Sequence, residues 1–227
     1  MSVQPATTQA ATAPPGPTRS LADQAFEQLQ DRLIFLDIAP GEPVNEGELS
    51  RELGVGRTPL REALKRLESD HLVMTYARRG TFATPVDITA LSEISQVRQV
   101  LEPLAAGLAA QMRGGRRRDA VEALIQELES TPPTPADRDH ALRWDRRIHR
   151  EIYTAAGNSH LQATLERYNN LATRIWCVAA DRLPVIHQHI EVHVTLLRAI
   201  VDGDAEAAAQ TMRTHVQEFE THIRQVL

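Results

Sequence analysis

Between Leu21 and Thr84 the apolar positions fall into short stretches separated by turn residues. Ala25, Leu29, Leu33 and Leu36 recur at spacings of four, four and three. They form one stripe and predict a helix over Leu21–Ile38. Ser20 stands at its N-cap, Asp23 in its first turn, and Pro40-Gly41 closes it. Asn45 can cap a short helix running to about Leu53, and Gly54-Val55-Gly56 makes a tight turn. A third helix is predicted over Thr58–Asp70, with Pro59 in the first turn, where its missing N–H costs little. Leu60, Ala63, Leu64 and Leu67 share its buried face, which leaves Arg61, Lys65 and Arg66 outside. Two β-prone stretches follow, Leu72–Tyr76 and Thr81–Thr84, joined through Arg78-Arg79-Gly80 and closed by Pro85. Helix, short helix, turn, basic helix and β-wing is the order of a winged helix-turn-helix.

From residue 87 onward the pattern is helical throughout. The segments are Asp87–Met112, Arg116–Ser130, Pro135–Ala156, Ser159–Ala180, Leu183–Val201 and Asp204–Val226. Gly114-Gly115, Pro132-Pro133, Gly157-Asn158, Pro184 and Asp202-Gly203-Asp204 break them. Six helices of this length predict an antiparallel bundle. The expected fold is mainly α: a tail over 1–19, a winged helix-turn-helix over 20–85 and an all-helical domain over 86–227.

Composition changes this picture in three places. The 42% hydrophobic content of the 227 residues is enough for packed cores. No apolar run approaches the roughly 18 residues that span a bilayer, so no membrane partner is expected. Residues 1–19 are rich in Ala, Thr, Pro and Gln and read as a disordered tail, not a secretory signal. The single cysteine, Cys177, permits no intrachain disulfide and suits a reducing cytoplasm. The net charge of −5 argues at first against nucleic acid. Charge is local, though: Arg57, Arg61, Lys65 and Arg66 face only Glu62 within ten residues.

That basic segment is the N-terminal part of the second helix of the helix-turn-helix, which enters the major groove. Arg57, Thr58 and Arg61 are placed to meet base edges, where arginine grips guanine with two parallel hydrogen bonds. Lys65 and Arg66 lie further along, towards the phosphates. Arg79 and Gly80, with Arg78, form the wing tip and suit the minor groove, Gly80 letting the backbone pass close. A solvated basic face is the bland alternative, and the turn and wing around the segment weigh against it.

The predicted bundle carries a second chemistry. Asp145 and His149 are i and i+4 on one helix and can meet one ion. His193 and His215 lie on the last two helices. His189 pairs with His193 at the same spacing and is a rival ligand. Three imidazoles and one carboxylate suit zinc first, with nickel, manganese or iron as alternatives.

The segment Val55-Gly-Arg-Thr-Pro-Leu-Arg-Glu-Ala-Leu-Lys-Arg-Leu-Glu68 resembles the signature of GntR-type regulators, and Val97-Arg-Gln-Val-Leu-Glu102 resembles the start of the FCD effector domain. The resemblance runs from about Leu21 to Leu227. It implies a homodimer on double-stranded, pseudo-palindromic operator DNA, a transcription regulator acting as a repressor and retuned by a small carboxylate. Asp145-Arg-Arg-Ile-His149, His193 before Leu197-Arg-Ala-Ile200, and His215 in Met212-Arg-Thr-His-Val216 match the metal-binding pattern of that domain. The resemblance therefore implies Asp145, His149, His193 and His215 as ligands, with open positions for the effector. Arg98 has two readings, a salt bridge with Glu102 at i+4 or a bidentate grip on the effector carboxylate. The resemblance favours the grip, and Asn170 and Arg174 are further pocket candidates. Three positions depart from the pattern. His71 stands where a glycine is usual, Gly47 where a DNA-contacting arginine occurs, and Val192 where Glu often precedes the third ligand.

Two other function classes remain at this stage. A His/Asp site with open positions could serve a metal-dependent enzyme, but no separate general base or nucleophile is evident and a DNA module would go unexplained; the expectation is no enzyme. Alternatively, the metal is structural or is itself the signal.

Overall fold

The computed structural model describes residues 19–112, 114–132, 137–182 and 186–226, with the backbone alone at 181 and 186–191. The tail expected over 1–19 lies outside them except for Arg19.

The first unit comprises α1 (Leu21–Ile34), α2 (Glu46–Glu52), α3 (Arg57–Ser69) and a wing of β1 (Val73–Tyr76) and β2 (Gly80–Ala83). Ser20 and Asp23 form a reciprocal capping box at the start of α1, as their spacing allows. Helix α1 ends four residues before Ile38, which corrects the expectation. Leu36 turns into the left-handed region at φ +63°, the chain folds back, and the Ile38 N–H reaches the Arg32 carbonyl at 3.1 Å. Leu36 thus leaves the stripe that Ala25, Leu29 and Leu33 carry into the core. The turn has a packing reason: Phe35, just before it, contacts the cores of both units.

Helix α3 buries Leu60, Ala63, Leu64 and Leu67. Leu60 and Leu67 join Leu29 and Leu33 of α1 in one core. Removing such a side chain costs about 2–5 kcal/mol, transfer plus cavity. The wing is an antiparallel pair with Val73 opposite Ala83 and Tyr76 opposite Gly80. Arg78 at φ +63° and Gly80 at φ +95° make its tight tip. His71 keeps the left-handed conformation expected of a glycine there, at φ +59°. The turn is preserved and carries the strain of a side chain in that region.

A short 3-10 turn, Ile88–Ala90, leads into six helices: α4 (Leu91–Ala110), α5 (Arg116–Ser130), α6 (Arg138–Ala155), α7 (Ser159–Ala179), α8 (Ile186–Asp202) and α9 (Ala205–Val226). A second 3-10 turn, Ala180–Arg182, follows α7. Helix α4 packs against α9, α7 and α6, and α5 against α8 and α6, the six-helix bundle expected. Among the described residues no helix is long and apolar enough to cross a membrane.

The two units meet along α1 and α7. Arg146 of α6 donates to Asp31 Oδ1 and Gln30 Oε1 of α1, each at 2.8 Å, and to Asn170 Oδ1 of α7 at 3.0 Å. Arg167 of α7 donates to the Ser69 carbonyl at the end of α3. Arg174 of α7 donates to the Thr84 hydroxyl and carbonyl, both at 2.6 Å, in the link between wing and bundle.

Candidate metal centre and nucleic-acid interface

Helix α6 is capped by Asp137, whose carboxylate accepts the His140 N–H. Its inward face carries Trp144, Asp145, Ile148, His149 and Ile152, all buried. The i, i+4 pair Asp145 and His149 thereby faces the interior, where α8 brings His193 and α9 brings His215. Each of the four offers one ligand atom, and these atoms lie within 4.8 Å of one another. Asp145 Oδ1 stands 3.4 Å from His193 Nε2, 3.7 Å from His149 Nε2 and 4.0 Å from His215 Nε2. His149 Nε2 and His215 Nε2 are 3.1 Å apart.

Whether this set fits a cation is decided by its hydrogen bonds. Arg98 Nε lies 2.5 Å from Glu102 Oε1, with both side chains buried. Burial works to raise the Glu102 pKa, but the charge of Arg98 and the contact with His149 hold it at about 2. An ionised carboxylate only accepts. His149 Nδ1, 2.9 Å from Glu102 Oε2, is the ring nitrogen on which this carboxylate favours the proton. Its Nε2 then points a lone pair at the cluster, towards the Nε2 of His215. His215 Nε2 can answer that lone pair with its own proton or share a cation with it, and the carboxylate of Asp145 beside them completes a set that can hold one. Atoms bound at about 2.0–2.2 Å to one ion stand roughly 3–3.6 Å apart; the separations of 3.1 and 3.4 Å fall in that range, and those of 3.7 and 4.0 Å would have to close slightly. The donor set, three imidazoles and one carboxylate, fits a divalent transition metal. The side chain of His189, the rival ligand, lies outside the described residues.

Tyr153, one turn beyond His149, closes the arrangement with its hydroxyl 3.1 Å from His149 Nδ1. Burial and the neighbouring Glu102 push its pKa well above the ordinary value, so it stays protonated and donates to Glu102, not to the protonated His149 Nδ1. Sequence reasoning missed the roles of Glu102 and Tyr153. The only signal was that Glu102 lies four residues after Arg98, which suggested the salt bridge and nothing further.

The three effector candidates are placed differently from the expectation. Of the two readings of Arg98, the structure realises the salt bridge with Glu102. Asn170 accepts from Arg146, and Arg174 is bonded to Thr84. Both therefore belong to the seam between the units, not to the surroundings of the four-residue cluster. The reason is tertiary: α7 is the bundle helix that faces the DNA-side unit, and these residues lie on its face towards α1 and the link. Trp176 is core, edge-to-face with Phe219 at 5.3 Å.

On the other unit, Arg57, Thr58, Arg61 and Lys65 are exposed along α3, and Arg79 and Gly80 at the wing tip. Arg61 Nε lies 3.1 Å from Glu46 of α2, a surface pair that DNA would have to displace. Arg66 is exposed on α3 as well, but it is engaged. Its guanidinium turns back to α1, 2.7 Å from Asp23 and 3.9 Å from the Phe26 ring centroid. A side chain held by both a carboxylate and an aromatic face is poorly free for a phosphate.

Comparison with known proteins gives matches along the chain. Residues 21–83 match the model described as "Bacterial regulatory proteins, gntR family", and residues 93–218 match the FCD domain. The chain is 31% identical to the Nta operon transcriptional regulator of Aminobacter aminovorans, over 83% of this chain and 86% of that one. It is 23% identical to the HTH-type transcriptional repressor RspR of Escherichia coli, over 92% of each. Among solved structures, E. coli McbR/YncC superposes with a TM-score of 0.74 at 23% identity, covering 92% of this chain and 99% of that one. That likeness extends to the fold.

Proposed function

Since the chain belongs to the GntR family of bacterial transcription regulators and carries its FCD domain, we propose that it is a cytoplasmic, homodimeric repressor whose grip on operator DNA is set by a small carboxylate at a metal site in the bundle. The observation that carries this is the convergence of Asp145, His149, His193 and His215, buried, from three helices. A divalent ion bound there, zinc first, would supply open coordination positions to a carboxylate. The chain's own residues do the rest. Glu102 fixes the orientation and tautomer of His149, and Arg98 holds Glu102 ionised. Arg57, Thr58 and Arg61 read base edges, Lys65 a phosphate, and Arg79 with Gly80 the minor groove.

Coupling to DNA runs through α6. Asp145 is followed directly by Arg146, whose guanidinium reaches α1. A shift of α6 at the ligand is thus a shift at the seam, and a coupling of about 1–3 kcal/mol is a five- to 150-fold change in affinity. The near-complete burial of the four ligands supports a second reading, in which the ion is structural or itself the signal. We assign the cluster no turnover.

The test is binding to the DNA upstream of the gene, at fixed salt, with and without chelator and a panel of small carboxylic acids. Specific binding that one acid alters, with the effect lost in His193→Ala, supports the proposal. Specific binding that responds to chelator and to no acid supports the second reading. No specific binding under any condition overturns both.

A further inference from the structure

Arg174 is 2% exposed, and among the described residues no carboxylate forms an ion pair with it. Its two terminal nitrogens bond only the neutral oxygens of Thr84, and its Nε–H is buried with no partner among the described residues. Burial lowers its pKa to about 10, and the neighbouring Cys177 offers no counter-charge, since burial pushes its thiol up to about 12. A buried cation lacking a counter-charge is costly, because desolvation is not offset by attraction. Buried charges are ordinarily paired.

Beside it lies a cavity of about 250 Å³ at the junction of wing, link and bundle. Arg174 lines it together with Pro85, Val86, Ile94, Leu171 and Ile175, a mainly apolar wall that His71, Thr84 and Asp87 complete. Asp87 is also at its edge, but its Oδ1 accepts from the Thr89 N–H at 2.9 Å and the Thr89 hydroxyl at 2.6 Å, which turns it into a helix cap. None of the four metal-type ligands lines this cavity.

We propose that the cavity at the wing–bundle junction is a binding site for a small monocarboxylic acid with an apolar body, its carboxylate on Arg174 and its body against Ile94, Leu171 and Ile175. The wall is mainly apolar and Arg174 is its one permanently charged cation, which fits a single acid function and disfavours sugar acids or tricarboxylates. The site stands apart from the metal cluster and does not depend on it. It also touches the DNA side. The Thr84 hydroxyl that accepts from Arg174 donates in turn to the carbonyl of His71 at 2.8 Å, in the left-handed turn between α3 and the wing. A carboxylate on Arg174 competes with Thr84 and so alters the hold of α7 on that turn.

The experiment is calorimetric titration of the full chain with benzoate and with benzamide, its uncharged counterpart, with and without chelator. Benzoate is expected to bind, benzamide about tenfold more weakly or worse, the scale of one charge-assisted contact. Chelation is expected to leave benzoate affinity unchanged, whatever becomes of the metal reading. Arg174→Gln and the cavity-filling Leu171→Trp are each expected to weaken benzoate by at least about tenfold; the second keeps the test open should the first fail to fold. The inference is overturned if benzoate does not bind at millimolar concentration, if both variants bind it as the parent does, or if chelation abolishes binding.

Discussion

His149 Nδ1 lies 2.9 Å from the carboxylate of Glu102, across the contact between α6 and α4, with both side chains fully buried. The pair makes the opposite nitrogen of His149 a lone-pair donor to the cluster. Outer carboxylates of this kind typically contribute ten- to 100-fold in metal affinity. Glu102→Gln should therefore weaken metal binding by about that factor while the fold persists, as read by competition with a coloured chelator. An unchanged affinity would leave Glu102 as a partner of Arg98 alone.

Arg98→Met removes one half of a buried ion pair. The remaining Glu102 charge would then lack its main counter-charge, a change costing about 3–5 kcal/mol. Urea denaturation should show the midpoint falling accordingly. A double variant, Arg98→Met with Glu102→Leu, should recover much of the loss, because an apolar pair fills the same space without a stranded charge.

Metal itself should act as a stabiliser. An ion that binds only the folded chain adds about 2.7 kcal/mol at a hundred times its dissociation constant. Zinc or nickel should raise the melting temperature of chelator-treated protein, and His215→Ala should abolish the rise.

His71→Gly tests the strained turn. Glycine tolerates φ +59° without the penalty of a Cβ, at some entropic cost in the unfolded chain. The net expectation is a gain of up to about 1 kcal/mol in folding stability by denaturant midpoint.

Base reading at Arg61 predicts a relaxed preference at one operator position, about 1–3 kcal/mol of discrimination, in Arg61→Ala. Lys65→Ala should instead weaken all sequences alike and reduce the salt dependence by about one phosphate contact. Quantitative gel shifts on a library of single-base operator variants distinguish the two patterns.

The local periodicities were readable directly. The buried face of α3 and the i, i+4 placement of Asp145 and His149 each follow from a spacing of three or four, a property of an isolated helix. Meeting His193 and His215 in space required the packing of α8 and α9 on α6, which no spacing encodes; the family pattern supplied it. The turn at Leu36 was hidden because leucine continues a helix comfortably, and only the fit of Phe35 between two cores ends it there. Arg146, Arg167 and Arg174 were opaque for a related reason. A lone arginine in a helix carries no sign of whether it faces water, a ligand or another unit. Arg174 was read as a pocket residue beside the metal and Arg146 passed over, although both serve the same junction; the cavity that Arg174 does line lies at that junction, away from the four ligands.

Among the described residues, every side-chain hydrogen bond that crosses this junction runs in one direction, from arginines of the bundle to oxygens of the DNA-side unit. Docking thus conceals two cations, Arg146 and Arg174, that would otherwise attract nucleic acid of any sequence, and engages a third, Arg167, that stays partly exposed. The arrangement is a shield as well as a fastening. While it is closed, Arg146 and Arg174 are withdrawn from phosphate, and on the DNA-side unit the exposed cations of α3 and the wing tip are left to meet it.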